Sequence, residues 1–76
     1  MTLLEPRKDF DKCIIGICHE EGRAIYDADR VISVIMTAND LSREDAEEWF
    51  ADNTVRGAAY QENPPIFMSR DFELDD

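Results

Sequence analysis

Cys13, Cys18 and His19 supply every thiol and imidazole in this 76-residue chain, all within the run KCIIGICHE. Their types fit metal ligation or nucleophilic catalysis, but their spacing opposes both. On a strand, successive side chains leave opposite faces. Cys13 and Cys18 lie an odd number of residues apart and so point apart, as do the neighbours Cys18 and His19. A disulfide or shared metal is disfavoured, and three soft ligands do not complete a tetrahedral site. A Ser–His–Asp device has only His19 to draw on. Ser33 sits in an apolar run, Ser42 precedes a helix-like segment, and Ser69 lies near the end. Gly16, Gly22 and Gly57 are too scattered to cradle phosphate. Among 18 acidic residues a carboxylate pair is always available, so abundance empties that observation of meaning. The expectation is a protein that is not an enzyme, with no cofactor, no metal and both thiols free as packing residues.

What remains is binding chemistry, concentrated between Leu41 and Tyr60. Glu44, Glu47, Glu48 and Asp52 fall on the outward side of a helical wheel on which Leu41, Ala46, Trp49 and Phe50 face inward. Two readings compete. The acids serve solubility and the aromatics close a small core, or the acids form a partner surface with Trp49 or Tyr60 as its anchor. Eighteen acids against eight bases give a net charge of −10. Phosphate backbones repel such a chain, because nucleic-acid binding works through Lys and Arg. The expected partner is a protein with a basic surface, not DNA or RNA.

The elements that position these residues follow from local patterns. Residues 1–11 read as a loosely held arm, 12–69 as a single α+β domain and 70–76 as an acidic tail. Lys12 to His19 is an apolar, β-branched run with both faces apolar, the mark of a strand covered on both sides. Gly16 inside it signals a bulge or a close backbone approach. Glu20-Glu21-Gly22 turns the chain back into Arg23–Tyr26, making an N-terminal β-hairpin. Asp27 then caps a strongly apolar helix over about 27–38, which Ala38-Asn39-Asp40 ends. Ser42 caps a second helix, about 42–53, with acids in its first turn suited to the helix dipole. Asn53 is the expected stop, since Asn tolerates a left-handed backbone. Two consecutive helices evoke a DNA-reading helix-turn-helix, but five acids and one Arg43 on the second oppose it. Thr54–Tyr60 and Ile66-Phe67-Met68 are expected as strands of a short C-terminal hairpin packing with the first, the latter opened by Pro65.

No apolar stretch reaches the roughly 20 residues of a membrane span. The start, MTLLEPRKDF, has too short an apolar run for a signal peptide. A soluble cytoplasmic protein is expected, and a homodimer would supply core that so short a chain lacks.

Several residues recur together. Tyr26-Asp27 opens the helix ending in Val34-Ile35-Met36. Leu41-Ser42-Arg43-Glu44-Asp45-Ala46, Glu48-Trp49-Phe50, Asn53, Gly57-Ala58-Ala59-Tyr60, Glu62 and Pro65-Ile66-Phe67 follow. Over more than half its length, the chain resembles a group of short, uncharacterised proteins of bacteriophages and prophages. Gln61 stands where those relatives commonly have glycine, and Arg30 matches their basic residue in the first helical turn. The group brings no catalytic residues. The resemblance implies an accessory factor in the bacterial host cytoplasm that binds and disables a host protein or nucleic-acid-binding machine. The alternative is a structural or assembly role as a homodimer or phage-particle subunit.

Overall fold

Asp27 is where the sheet gives way to the helices. Its backbone ends β2 (Ala24–Asp27), and its side chain accepts hydrogen bonds from the amides of Asp29 (3.1 Å) and Arg30 (3.3 Å). That cap satisfies two of the free N–H groups at the start of α2 (Ala28–Asn39). The computed structural model describes residues 1–70, and the acidic tail expected for 70–76 lies, apart from Arg70, outside them.

A short helix, α1 (Arg7–Phe10), and a 3-10 turn (Asp11–Cys13) lead into β1 (Ile14–Ile17). β1 and β2 form the expected antiparallel hairpin, with Gly22 at φ +69° in its turn, a conformation that glycine adopts without steric cost. The register shifts between Ile14 and Gly16, so Gly16 marks a bulge. β1 is shorter than the apolar run and lies at a sheet edge, with Ile17 50% exposed. The run is therefore not a strand covered on both faces; the central, largely buried strand is β2.

α2 ends at Asp40 in the left-handed region (φ 53°), with the Leu41 amide reaching back to the Met36 carbonyl. Ser42 caps α3 (Arg43–Trp49) by accepting from the Asp45 amide. The chain does not stop at Asn53. It continues through a π-helical stretch, Phe50–Val55, into α4 (Arg56–Ala58). The Asn53 side-chain amide donates to the Trp49 carbonyl one turn back instead of capping. The strand expected over Thr54–Tyr60 is thus absent, and with it the C-terminal hairpin. Thr54 and Val55 are β-branched, but no turn signal separates them from α3, and Ala58 is buried through helical continuation.

β3 (Ile66–Met68) pairs with β2 in parallel, giving a three-stranded mixed sheet of order β1-β2-β3. Parallel neighbours need a long crossover, which α2 and the α3–α4 stretch provide. The architecture is α+β, one domain around one core. Tyr26 and Val31 are fully buried at its centre, with Ile35, Ala46 and Cys13 around them.

The segment 1–11, expected as a loose arm, is docked. Leu3, Leu4 and Phe10 pack on the core. The Leu4 amide donates to the Tyr26 hydroxyl at 2.9 Å, and the Thr2 amide to the Asn63 carbonyl at 3.3 Å. Arg23 ties the hairpin to the same end by donating to the Pro64 carbonyl.

Candidate functional site

The docked N-terminal segment forms one wall of a groove of about 640 Å³. α2 supplies its floor through Val34, Ile35 and Ala38, and Trp49, Asn53, Gly57 and Ala58 of the α3–α4 stretch line the far side. Among the described residues, the charged groups lining it are Glu5 and Asp9. At Gly57 a Cβ atom meets nothing within 4 Å. Of the stretch Gly57-Ala58-Ala59, therefore, Ala58 packs inward while Gly57 borders open space.

Trp49 and Phe50 divide as adjacent helical positions must, about 100° apart. Phe50 packs on the core and meets Phe67 edge-on, centroids 5.0 Å apart. Trp49 is 44% exposed at the groove rim, so its expected inward placement is corrected. Tyr60, just beyond α4, is 87% exposed and is not among the residues lining the groove.

Glu44, Glu47, Glu48 and Asp52 are all exposed along the outer side of the helical stretch, yet they are not equivalent. Arg43 donates to Glu47 at 2.8 Å and to Asp29 on α2 at 2.7 Å, joining the two helices at their N-terminal ends. Hydrogen bonds to Glu47 and then Asp29 push the Arg43 guanidinium further up. Glu47 is thereby partly neutralised. Glu44, Glu48 and Asp52, four residues apart in turn, have no cation within salt-bridge distance among the described residues. Aligned like charges at that spacing repel one another by a few tenths of a kcal/mol per pair, roughly 0.2–0.5. Glu44 suits the positive end of the α3 dipole, while Glu48 and Asp52 have no such role.

The residues weighed for chemistry do not converge. Cys13 is buried and Cys18 half-buried, both free. Burial pushes the Cys13 thiol up, away from the thiolate that nucleophilic attack requires. A second cavity of about 570 Å³ adjoins the groove across Asp9, Val34 and Ala38, and holds Lys12 and Arg30 beside Cys13. Among the described residues no three His, Cys, Asp or Glu side chains are grouped to hold a metal. Nor is any helix there long and apolar enough to cross a membrane.

The groove escaped sequence reasoning because its walls lie about forty residues apart along the chain. The usable signals were the apolar Leu3-Leu4 in a segment read as loose, and Gly57-Ala58-Ala59, whose small side chains leave room for a close approach. Comparison with protein-family models, curated proteins and solved structures finds no match.

Proposed function

We propose that this chain is a small acidic protein–protein interaction factor, phage-encoded, that binds and inhibits a host protein or a nucleic-acid-binding machine in the bacterial cytoplasm. The observation that carries the reading is the row Glu44, Glu48 and Asp52, exposed, without cationic partners among the described residues, and bordering the exposed Trp49. Such a row mimics the regular negative charge that a basic protein groove normally receives from a nucleic acid. Trp49 adds the amphipathic contact area typical of interface anchors. The origin and the host target rest on the resemblance to phage proteins and on this charge pattern.

The test is affinity capture from bacterial lysate, identified by mass spectrometry, with the wild type beside a Glu48→Lys, Asp52→Lys double variant. The wild type is expected to retain a partner at low salt and release it as salt screens the contact. The double variant is expected to weaken capture by about tenfold or more while keeping the wild-type circular dichroism spectrum. Capture unchanged by both reversal and salt would refute the reading.

The assembly alternative has its own support. Ile17 on β1 and Met68 on β3 are 50% and 40% exposed on the two outer strands of the sheet. Edge strands carrying apolar side chains are templates for pairing. A stable dimer in sedimentation experiments that dissociates on Ile17→Lys would favour it.

A further inference from the structure

We infer that the groove between the N-terminal segment and the α3–α4 stretch is the docking site for one kind of partner segment: a large apolar side chain flanked by lysine or arginine. The inference rests on the interaction reading above and names the chemistry of the partner. Apolar side chains dominate the floor, with Val34, Ile35 and Ala38 from α2 facing Leu3 and Leu4. Its volume, about 640 Å³, falls within the range of preformed ligand sites, roughly 300–1,000 Å³. Its charge has one sign. Among the described residues, Glu5 and Asp9 are the charged ones lining it, and neither Lys nor Arg does. Asp52 and Glu48 each precede a lining residue, Asn53 and Trp49, in the same helical stretch.

That combination selects among occupants. An anionic ligand meets the carboxylates of Glu5 and Asp9 in the groove itself and finds cations, Lys12 and Arg30, only in the adjoining cavity. A second copy of this chain brings another −10 of charge toward the same rim. A cationic segment with an apolar anchor satisfies both features, the anchor entering the floor while its flanking charges meet the acidic edges. The groove is also pre-formed, because the Leu4–Tyr26 and Thr2–Asn63 hydrogen bonds hold its N-terminal wall, which lowers the ordering cost of binding. Gly57 borders the groove with open space where a Cβ would stand.

Trp49 is the single tryptophan of the chain and stands at the rim, so its emission reports occupancy directly. The probes are three tryptophan-free synthetic peptides: an amphipathic Leu–Lys peptide, its Leu–Glu counterpart and oligolysine. The Leu–Lys peptide is expected to shift Trp49 emission to the blue in a saturable manner, with weakening at high salt. Leu–Glu and oligolysine are expected to leave the emission maximum in place. Gly57→Leu, which adds a large side chain at the groove's border, is expected to weaken the Leu–Lys titration by about tenfold at an unchanged urea midpoint. Ala38→Leu repeats the test from the α2 floor. Equal responses to oligolysine and Leu–Lys, or titrations unchanged by both substitutions, would overturn the inference. A blue shift with protein concentration alone would also overturn it, because a second copy would then be the occupant. Loss of binding in the Glu48→Lys, Asp52→Lys variant with none in Gly57→Leu sinks the groove and leaves the acidic helix face standing. The reverse outcome supports the groove and sinks the helix face.

Discussion

Tyr26→Ala is expected to remove a large share of the protein's stability. Tyr26 is fully buried on the central strand, its ring 5.9 Å from that of Phe67, which in turn meets Phe50 at 5.0 Å. One side chain thus joins the sheet, the helical layer and, through its hydroxyl, the Leu4 amide of the N-terminal segment. Truncating a large buried aromatic costs about 3–5 kcal/mol. A domain of this length holds only roughly 4–11 kcal/mol in total. Tyr26→Phe separates the two roles. It keeps the ring and leaves the Leu4 amide without its acceptor, at about 1–2 kcal/mol. Urea titration followed by circular dichroism is expected to show a midpoint lowered strongly for Tyr26→Ala and modestly for Tyr26→Phe. Amide exchange at Leu4 should accelerate in Tyr26→Phe well beyond the global change. A wild-type midpoint for the alanine variant would mean the core is not centred on this residue.

The same hydroxyl sets an alkaline limit. Burial pushes the Tyr26 phenol above its ordinary value of 10.0 and the Cys13 thiol above 9.0. In the unfolded chain both groups lose their protons near those ordinary values, while the folded protein retains them to higher pH. Over that window the unfolded state binds fewer protons, so stability falls as pH rises. The contribution is fully present below pH 9 and erodes first through Cys13, then through Tyr26 as pH passes 10. Urea midpoints measured across this range should decline less steeply for Tyr26→Phe than for the wild type. Parallel slopes would show that the phenol is not what titrates.

Features governed by neighbouring residues were legible in the sequence, and those governed by distant partners were not. Asp27 and Ser42 cap helices through amides two or three residues away, so cap chemistry alone locates both. Gly16 and Gly22 likewise act on their own backbone. Leu4 is held by an oxygen 22 residues on, and no local pattern distinguishes that from a loose arm. Thr54 and Val55 have the composition of a strand, but they continue a helix whose Ala58 is buried against other parts of the fold. Periodicity shows that Trp49 and Phe50 cannot share one direction. Which of them reaches Phe67 is decided by how the helix lies over the sheet, and Phe50 does so. The acidic face was legible as a charge pattern. Its division into a neutralised Glu47 and an unpartnered row required seeing Arg43 reach Asp29 on the other helix.

Asp27→Ala is expected to lower stability by about 2 kcal/mol, chiefly through the lost cap. The carboxylate is 5% exposed and holds two amides on one oxygen; its other oxygen faces Arg30 at 3.6 Å and Arg70 at 3.5 Å. The ion pairs look important and are the weaker contribution. The Arg30 and Arg70 side chains are 61% and 59% exposed, so water and salt screen them to about 0–1 kcal/mol each at most. A good N-cap is worth about 1 kcal/mol and up to 2, and its negative charge at the helix N-terminus adds a further fraction. Asp27→Asn keeps the acceptor and removes the charge, so its urea midpoint should fall between those of the wild type and the alanine variant. Salt should narrow the gap between wild type and Asn while leaving the gap between Asn and Ala unchanged. If Asn destabilises as much as Ala, charge dominates and the cap assignment fails. Because α2 carries Val34, Ile35 and Ala38 to the groove floor, fraying its first turn in Asp27→Ala should reach the groove weakly. The groove residues lie one to two turns further along the helix, beyond the range of a lost cap.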